Sequence, residues 1–197
     1  MVARSNRKWT VEAYLQFERE SDERHEFYGS EIYLMTGASE RHVLITGNTF
    51  SSLHSQLRRT PCRIYAVDMR VKVSATGLYT YPDISVVCGE PAFEDEHVDT
   101  LINPTVIVEV LSPSTERYDR GKKFQHYRTL KSLKEYILIG QDNPQIEQFT
   151  RTDNDRWLLN TASQLDAQIE LSAIGCTLLV ADVYEKVTFE PGEADEA

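Results

Sequence analysis

Two carboxylate residues occupy positions where a purely structural carboxylate is unfavourable. Asp83 stands at the start of the apolar run that ends at Cys88, and Glu109 lies inside the run Val106-Ile-Val-Glu-Val-Leu111. An ionised carboxylate in apolar surroundings is costly unless it is paired or binds a metal. If the two runs are adjacent strands, both side chains converge on one point, and paired carboxylates are oxygen ligands that Mg²⁺ prefers. The pattern predicts a metal-dependent hydrolytic site.

Such a site also needs a cationic group, and the next predicted helix supplies one. Apolar residues at three-residue steps predict an amphipathic helix from Asp119, as its N-cap, to about Lys131. The preceding turn can fold this helix back over the strand ends, which would bring Lys123 to the carboxylates. Lys122 points about 100° away on a helix, so only one of the two lysines can face the site. The helical spacing favours Lys123.

Three segments in this order resemble the signature of the Uma-two family of putative restriction endonucleases, which is placed in the PD-(D/E)XK nuclease superfamily. They are Tyr81-Pro-Asp83, Val108-Glu-Val-Leu-Ser-Pro-Ser-Thr115 and Asp119-Arg-Gly-Lys-Lys123-Phe-Gln-His-Tyr127. Upstream, Glu26-Phe-Tyr-Gly-Ser-Glu31, Met35 and His42 also resemble the family's N-terminal half. The resemblance spans roughly residues 10 to 151.

The resemblance implies a role for each matched residue. Asp83 and Glu109 would be metal ligands, with the Val110 carbonyl as a further ligand. Lys123 would orient or activate the attacking water and offset charge on the phosphate. Glu26 would be the superfamily's additional acidic residue near the metal. The resemblance therefore implies a catalytic set of Asp83, Glu109, Lys123 and Glu26 with Mg²⁺, or Mn²⁺ in its place.

One position departs from the superfamily pattern. The lysine usually lies two residues after the second carboxylate, on the same strand, and Leu111 stands there in this chain. A lysine must therefore come from elsewhere, and the helix position Lys123 is where this family places it.

Each of these residues also has an alternative interpretation. Asp83 could only cap the entrance of a strand, and Glu26 could lie on an exposed hairpin. His42, near a helix start, could be a structural residue or a ligand. Tyr127 could orient the lysine or pack against the core.

The elements that position these residues follow from hydrophobic periodicity and turn signals. The sequence predicts an α/β (α+β) fold of the restriction endonuclease-like type: a mixed central β-sheet flanked by helices, with extra antiparallel strands at the N- and C-terminal parts. The predicted elements are a helix over 10–19 capped by Thr10, a hairpin over 26–35 turning at Gly29, a helix from a Ser39 cap to about Arg59, a long strand over 62–73, core strands over 83–88 and 106–111, a strand over 135–139 that completes a crossover, and short strands within 145–150, 157–160 and 167–171.

Length and composition set further expectations. The 197 residues, 41% of them hydrophobic, suit a single domain over residues 1–189, followed by an acidic, disordered tail over 190–197. The cysteines Cys62, Cys88 and Cys176 are odd in number and widely spaced, so we expect reduced core residues. No run reaches the ~18 apolar residues of a membrane span and no signal peptide is evident, which favours a cytoplasmic protein.

The net charge of −10 opposes binding to a phosphate backbone. Much of the acid, however, lies in the loop over 90–99 and in the C-terminal tail. A local basic face therefore remains open, formed by Arg117, Arg120, Lys122, Lys123, Arg128 and Lys131.

The leading functional hypothesis is a Mg²⁺-dependent endonuclease that hydrolyses DNA phosphodiester bonds through two carboxylates and a lysine. A catalytically silent nuclease fold that serves as a binding module is the alternative from another class, and the acidic charge supports it. Hydrolysis of RNA is allowed by the same chemistry. The resemblance also implies a homodimer.

Overall fold

The computed structural model of the protein describes residues 8–189, so the predicted tail over 190–197 lies outside the described residues. In chain order the elements are α1 (Val11–Glu20), β1 (His25–Tyr28), β2 (Glu31–Leu34), α2 (Glu40–Leu57), β3 (Cys62–Ala66), β4 (Arg70–Val73), β5 (Leu78–Thr80), β6 (Ile84–Cys88), β7 (Thr100–Leu101), β8 (Val106–Leu111), α3 (Glu116–Tyr118), a π-helical stretch (Asp119–Lys123), α4 (Phe124–Tyr127), β9 (Glu135–Gly140), β10 (Ile146–Arg151), β11 (Trp157–Ala162), β12 (Gln168–Leu171), β13 (Cys176–Leu179) and α5 (Val180–Val183).

Local sequence signals set the N-terminal elements, as predicted. The Thr10 hydroxyl accepts a hydrogen bond from the Ala13 amide and caps α1. The hairpin of β1 and β2 turns at Gly29 and Ser30, whose φ angles of 60° and 67° are those of a tight two-residue turn. The Ser39 hydroxyl caps α2 through the amide of His42.

The strands form a mixed α+β architecture that confirms the predicted fold class. A six-stranded sheet has the order β11-β10-β9-β8-β6-β3, in which β8 and β9 are parallel and the other pairs antiparallel. A five-stranded sheet has the order β2-β1-β5-β4-β7, and β12 and β13 form a separate antiparallel pair. All six residues of β8 are buried, so this strand is covered on both faces, as its continuous apolar run predicted.

The two faces of β8 contact different cores. Val106, Val108 and Val110 join a cluster that includes Ile45 and Leu53 of α2. The alternate residues Ile107 and Leu111 join a second cluster with Tyr127, Leu130 and Leu133, which belong to the crossover between β8 and β9. Glu109 is the one carboxylate in this strand, and strand alternation places it on the crossover side.

The single long strand predicted over 62–73 is wrong. The chain breaks at Val67, whose φ is 40°, and β3 and β4 then belong to different sheets. The alternation of apolar and polar residues predicted strand on both sides of Val67, but it did not indicate that the chain changes sheet there.

The predicted crossover is confirmed, but its helix differs from the prediction. The helical run begins at Glu116 and ends at Tyr127, with a π-helical stretch between α3 and α4. Asp119 is therefore not an N-cap: it lies inside the run and is buried. The Ser112 carbonyl instead accepts from the amides of Thr115 and Glu116 and starts the helix.

The expectation of three reduced cysteines is also wrong. Cys62 and Cys88 face each other in the register of β3 and β6, and a disulfide joins them. The sequence did not indicate this pairing, because the two cysteines are 26 residues apart and only the strand register brings them together. Cys176 is buried and carries a free thiol.

None of the helices within residues 8–189 is both long and apolar enough to cross a membrane.

Candidate active site

Asp83 and Glu109 lie opposite each other on neighbouring strands. Ile84 of β6 pairs with Val108 of β8 in antiparallel register, so one step further the partners are Asp83 and Glu109. Opposite residues of an antiparallel pair project from the same face. The structure therefore brings the two predicted carboxylates to one side of the sheet, where Glu109 is only 4% exposed.

Hydrogen bonds hold Asp83 immediately before the first residue of β6. Its Oδ2 accepts from the Val110 amide at 2.7 Å, and its backbone carbonyl accepts from the Val67 amide at 2.9 Å. Its Oδ1 lies 2.8 Å from Nε2 of His42, which the first turn of α2 carries. Asp83 thus does cap the strand entrance, and this is compatible with a second role because each oxygen has further lone pairs.

The Val110 carbonyl faces the same opening. In a strand the amide and the carbonyl of one residue point to the same side, and the Val110 amide points to Asp83. The carbonyl therefore lies on the side where β6 has ended, next to the Asp83 carboxylate.

Lys123 reaches this point from the helical run, as the helical spacing predicted. Its Nζ lies 2.7 Å from Glu109 Oε1, 3.4 Å from Asp119 Oδ1 and 3.6 Å from Glu26 Oε1. The side chain is buried, whereas Lys122 is exposed. One ammonium group is thus surrounded by three carboxylates.

The π-helical stretch positions two of these groups. Asp119 and Lys123 are its first and last residues, and both are buried on the side that faces β8. The wider i→i+5 turn of a π-helix changes which residues face inward, and such single turns occur frequently at functional sites. The local geometry therefore turns Asp119 and Lys123 to the site together.

Glu26 comes from the five-stranded sheet and is buried, not exposed on the hairpin. Its position in β1 is opposite Thr80 of β5, because Phe27 pairs with Tyr79. The Thr80 hydroxyl donates to Glu26 Oε1. Within residues 8–189, the buried Oε2 has no hydrogen-bond partner.

Tyr127 is tied to the same group of side chains. Its hydroxyl donates to Glu109 Oε1 at 2.8 Å, so it both packs in the core and orients the carboxylate. The Nζ atom of Lys123 also lies 5.9 Å from the centre of the Tyr127 ring. Tyr127 therefore contacts the lysine as well as the core.

The electrostatics of the group reflect its excess of acid. Burial raises the pKa of Glu109 well above its usual range; the Lys123 ammonium opposes this, and Asp119 and Asp83 add to it. Burial alone would lower the pKa of Lys123, but Glu109, Asp119 and Glu26 outweigh it and raise that pKa. The lysine therefore stays protonated at neutral pH, and the carboxylates around it remain only partly compensated.

The donor set fits a hard divalent cation. Asp83, Glu109 and the Val110 carbonyl offer oxygen ligands from adjacent positions. The buried oxygen Glu26 Oε2 lacks a hydrogen-bond partner within the described chain, and Asp119 Oδ1 has only the ion pair with Lys123 at 3.4 Å. Among residues 8–189, however, no group of three or more His, Cys, Asp or Glu side chains is arranged to hold a metal ion, so backbone and solvent oxygens would have to complete a coordination shell.

The predicted basic face is smaller than expected. Arg117, Lys122, Arg128 and Lys131 are exposed along and after the helical run. Arg120 is neutralised by Glu116 and Glu147, and Lys123 is buried.

Three residues around the site were not predicted from the sequence. Asp119 was assigned to a helix cap, and Thr80 carried no signal because only the pairing of β1 with β5 brings it to Glu26. Tyr118 lies beside them: burial raises its pKa, and Glu26 contributes. A shift of the helix start to Glu116 would have placed Asp119 and Lys123 within one helical run and revealed their contact.

A family model and two related proteins match most of this chain. The model of the Uma-two (Uma2) family, described as "Putative restriction endonuclease", matches residues 11–181. The uncharacterized protein slr1290 of Synechocystis sp. is 34% identical over 182 residues, which cover 92% of this chain and 94% of that protein. A second protein of that organism, the uncharacterized protein sll1609, is 35% identical over 172 residues, which cover 87% of this chain and 97% of its own.

A solved structure has a similar fold. It is the crystal structure of a putative nuclease belonging to DUF820 from Anabaena variabilis, with a TM-score of 0.73 and 19% sequence identity. The superposition covers 89% of this chain and 97% of that one. At this identity the likeness supports the fold alone.

Proposed function

The chain belongs to the Uma-two family of putative restriction endonucleases, and from this premise we propose that it is a Mg²⁺-dependent nuclease that hydrolyses DNA phosphodiester bonds at Asp83, Glu109 and Lys123. The observation that carries the proposal is the buried contact between Lys123 and Glu109 at 2.7 Å. An acidic pair and a lysine from three separate elements meet at one point, although Leu111 occupies the usual lysine position.

The roles follow from the chemistry of each group. Asp83, Glu109 and the Val110 carbonyl would hold the cation, and Mn²⁺ could replace Mg²⁺ because both accept oxygen ligands. When bound, the cation supplies charge stabilisation at the phosphate and lowers the pKa of water. Lys123 donates hydrogen bonds to the attacking water or to a phosphate oxygen, and its burial strengthens that interaction.

Glu26 and Tyr127 support this arrangement from two sides. Glu26 retains Lys123 through Oε1 and leaves Oε2 free for a water or substrate donor. Tyr127 fixes the orientation of Glu109 by its hydrogen bond. His42 holds Asp83 through Oδ1 and so leaves fewer orientations open to that carboxylate.

A catalytically silent binding module is the second candidate, and one observation favours it. Both oxygens of Asp83 and one oxygen of Glu109 already have partners in His42, the Val110 amide, Lys123 and Tyr127. Such saturation is also what a structural polar network requires.

Cleavage assays separate the two candidates. The wild-type protein is incubated with Mg²⁺ or Mn²⁺ and with single-stranded DNA, duplex DNA or RNA, beside Asp83→Asn and Glu109→Gln. We expect wild-type cleavage of DNA that stops with EDTA and falls by at least about 100-fold in both variants. If folded wild-type protein cleaves no nucleic acid with either metal, the binding module is the correct interpretation. Preferential cleavage of RNA would change the substrate class.

The homodimer, the single domain and the cytoplasmic location stay predictions. Light scattering coupled to size exclusion checks the first of these.

A further inference from the structure

An aromatic pair, the exposed Tyr28 and the partly buried His126, stands at the edge of the candidate active site. Tyr28 ends β1 and is 41% exposed, next to the buried side chains of the candidate active site. Its ring meets the His126 ring edge to face, with the ring centres 4.7 Å apart. An edge-to-face contact covers only part of each ring and leaves ring surface open.

Strand and helix geometry place this pair next to the catalytic group. Glu26 and Tyr28 are two residues apart in β1, so their side chains project from the same face, roughly 7 Å apart along the strand. His126 follows Lys123 by three residues, so both lie on neighbouring parts of one helical face. Hence β1 contacts the helical run at two places. Glu26 contacts Lys123 in the interior, and Tyr28 contacts His126 at the surface.

The charges around the pair favour an uncharged ligand. Glu31 is exposed and opposite Tyr28 in the hairpin register, and a phosphate there would be repelled. Burial lowers the pKa of His126, with Glu26 opposing and Lys122 adding to the shift, so the imidazole is neutral at physiological pH. A flat, neutral, aromatic group is the ligand that fits.

We propose that Tyr28 and His126 form a stacking surface for an unpaired nucleobase, so that the substrate is single-stranded or locally unpaired DNA whose neighbouring phosphate lies at Lys123. This inference rests on the proposed nuclease function and specifies its substrate class. Bases inside a duplex are already stacked on each other and cannot cover an external ring pair unless they are turned out of the helix. Stacking on aromatic side chains is the common means of binding single strands, and it accepts any base.

Binding measured without divalent cations tests the inference while cleavage is suppressed. Fluorescence anisotropy in EDTA compares a labelled single-stranded oligonucleotide with the duplex of the same sequence. We expect the wild-type protein to bind the single strand more tightly. Tyr28→Leu should weaken single-strand binding roughly tenfold. Tyr28→Phe should retain the binding because the ring remains. His126→Ala should also weaken single-strand binding. Leu158→Ala, an exposed residue of β11, is the control and should change nothing.

The outcomes distinguish this inference from the function on which it rests. Tighter binding of the duplex, or unchanged single-strand affinity in Tyr28→Leu, overturns the stacking surface and leaves the nuclease proposal intact. A protein that neither binds nor cleaves either form of DNA contradicts both. Circular dichroism of Tyr28→Leu and Tyr28→Phe confirms that each compared variant is folded.

Discussion

Lys123 carries the positive charge at the centre of the site, and its surroundings make it more than a surface lysine. Three carboxylates lie within 3.6 Å of its Nζ atom, and the side chain is buried. Breaking a buried pair by removing one partner leaves an uncompensated charge, which costs more than the pair itself contributes. The lysine is therefore needed for the integrity of the site as well as for its proposed chemistry.

We predict that Lys123→Met destabilises the protein in a pH-dependent way. At neutral pH the carboxylates of Glu109, Glu26 and Asp119 lose their counter-charge, and we expect a loss of roughly 3 kcal/mol in the free energy of unfolding. Burial already raises the pKa of Glu109, and loss of the lysine raises it further. As the pH falls, the Glu109 carboxylate takes up a proton and the loss shrinks. Urea unfolding at pH 7.5 and pH 5 measures it, and an equal loss at both values would refute this account.

Tyr127→Phe isolates one hydrogen bond at the same position. It removes the hydroxyl that donates to Glu109 and keeps the buried ring. We expect a loss of about 1–2 kcal/mol in the free energy of unfolding, together with a lower kcat and a smaller change in KM. A variant with unchanged kcat would show that the hydroxyl has only a structural role.

Among the elements, the central strands were predictable and the breaks were not. The compact apolar runs of β6 and β8 predicted these two strands, because a strand buried on both faces needs apolar side chains throughout. For the same reason, the carboxylates Asp83 and Glu109 were recognisable as unusual residues in these runs. The change of sheet at Val67 and the π-helical stretch over Asp119–Lys123 depend on tertiary packing, which side-chain periodicity does not record. Of the residues missed at the site, the π-helical stretch brings in Asp119, and the pairing of β1 with β5 brings in Thr80.

An ion-pair network joins α1 to the five-stranded sheet and gives a test at this scale. Asp99 accepts from Arg19 Nε at 2.8 Å and lies 3.0 Å from Arg70 Nη2. Burial opposes ionisation of Asp99, but Arg19 and Arg70 outweigh it and hold its pKa below the usual range. Its stabilisation is therefore present above about pH 4 and is lost as the pH falls through the lowered value.

We predict that Asp99→Asn lowers the free energy of unfolding by about 2 kcal/mol at pH 7, because buried Arg70 loses a carboxylate partner. The difference from wild type should decrease below pH 4, where the carboxylate of the unfolded chain takes up a proton while the native carboxylate stays ionised. Denaturant titrations at pH 7 and pH 3 measure this. A difference that grows on acidification would contradict the assigned network.

At the scale of the whole molecule, the disulfide between Cys62 and Cys88 ties the edge strand β3 to β6, the strand that begins next to Asp83. Closing a loop of this length stabilises a protein by roughly 3 kcal/mol in the chain-entropy model. We predict a loss of that order for Cys62→Ser without reductant and little difference from wild type with dithiothreitol. Thiol titration of denatured, unreduced wild-type protein should find one free thiol, and three would contradict the pairing.

The overall charge limits where a nucleic acid can bind. With a net charge of −10, most of the surface repels phosphates, whereas the exposed residues Arg117, Lys122 and Arg128 near the site attract them. The sequence predicted a basic face there, but ion pairing and burial, which it does not show, remove Arg120 and Lys123 from that face.

The most direct test is the Mg²⁺-dependent cleavage rate of Lys123→Met on a single-stranded oligonucleotide, compared with wild type and with Lys186→Met. Lys186 is 81% exposed in its side chain and lies outside the site. We predict that folded Lys123→Met cleaves at least about 100-fold more slowly than wild type, while Lys186→Met retains the wild-type rate. Cleavage by folded Lys123→Met at the wild-type rate would contradict the assignment of the site.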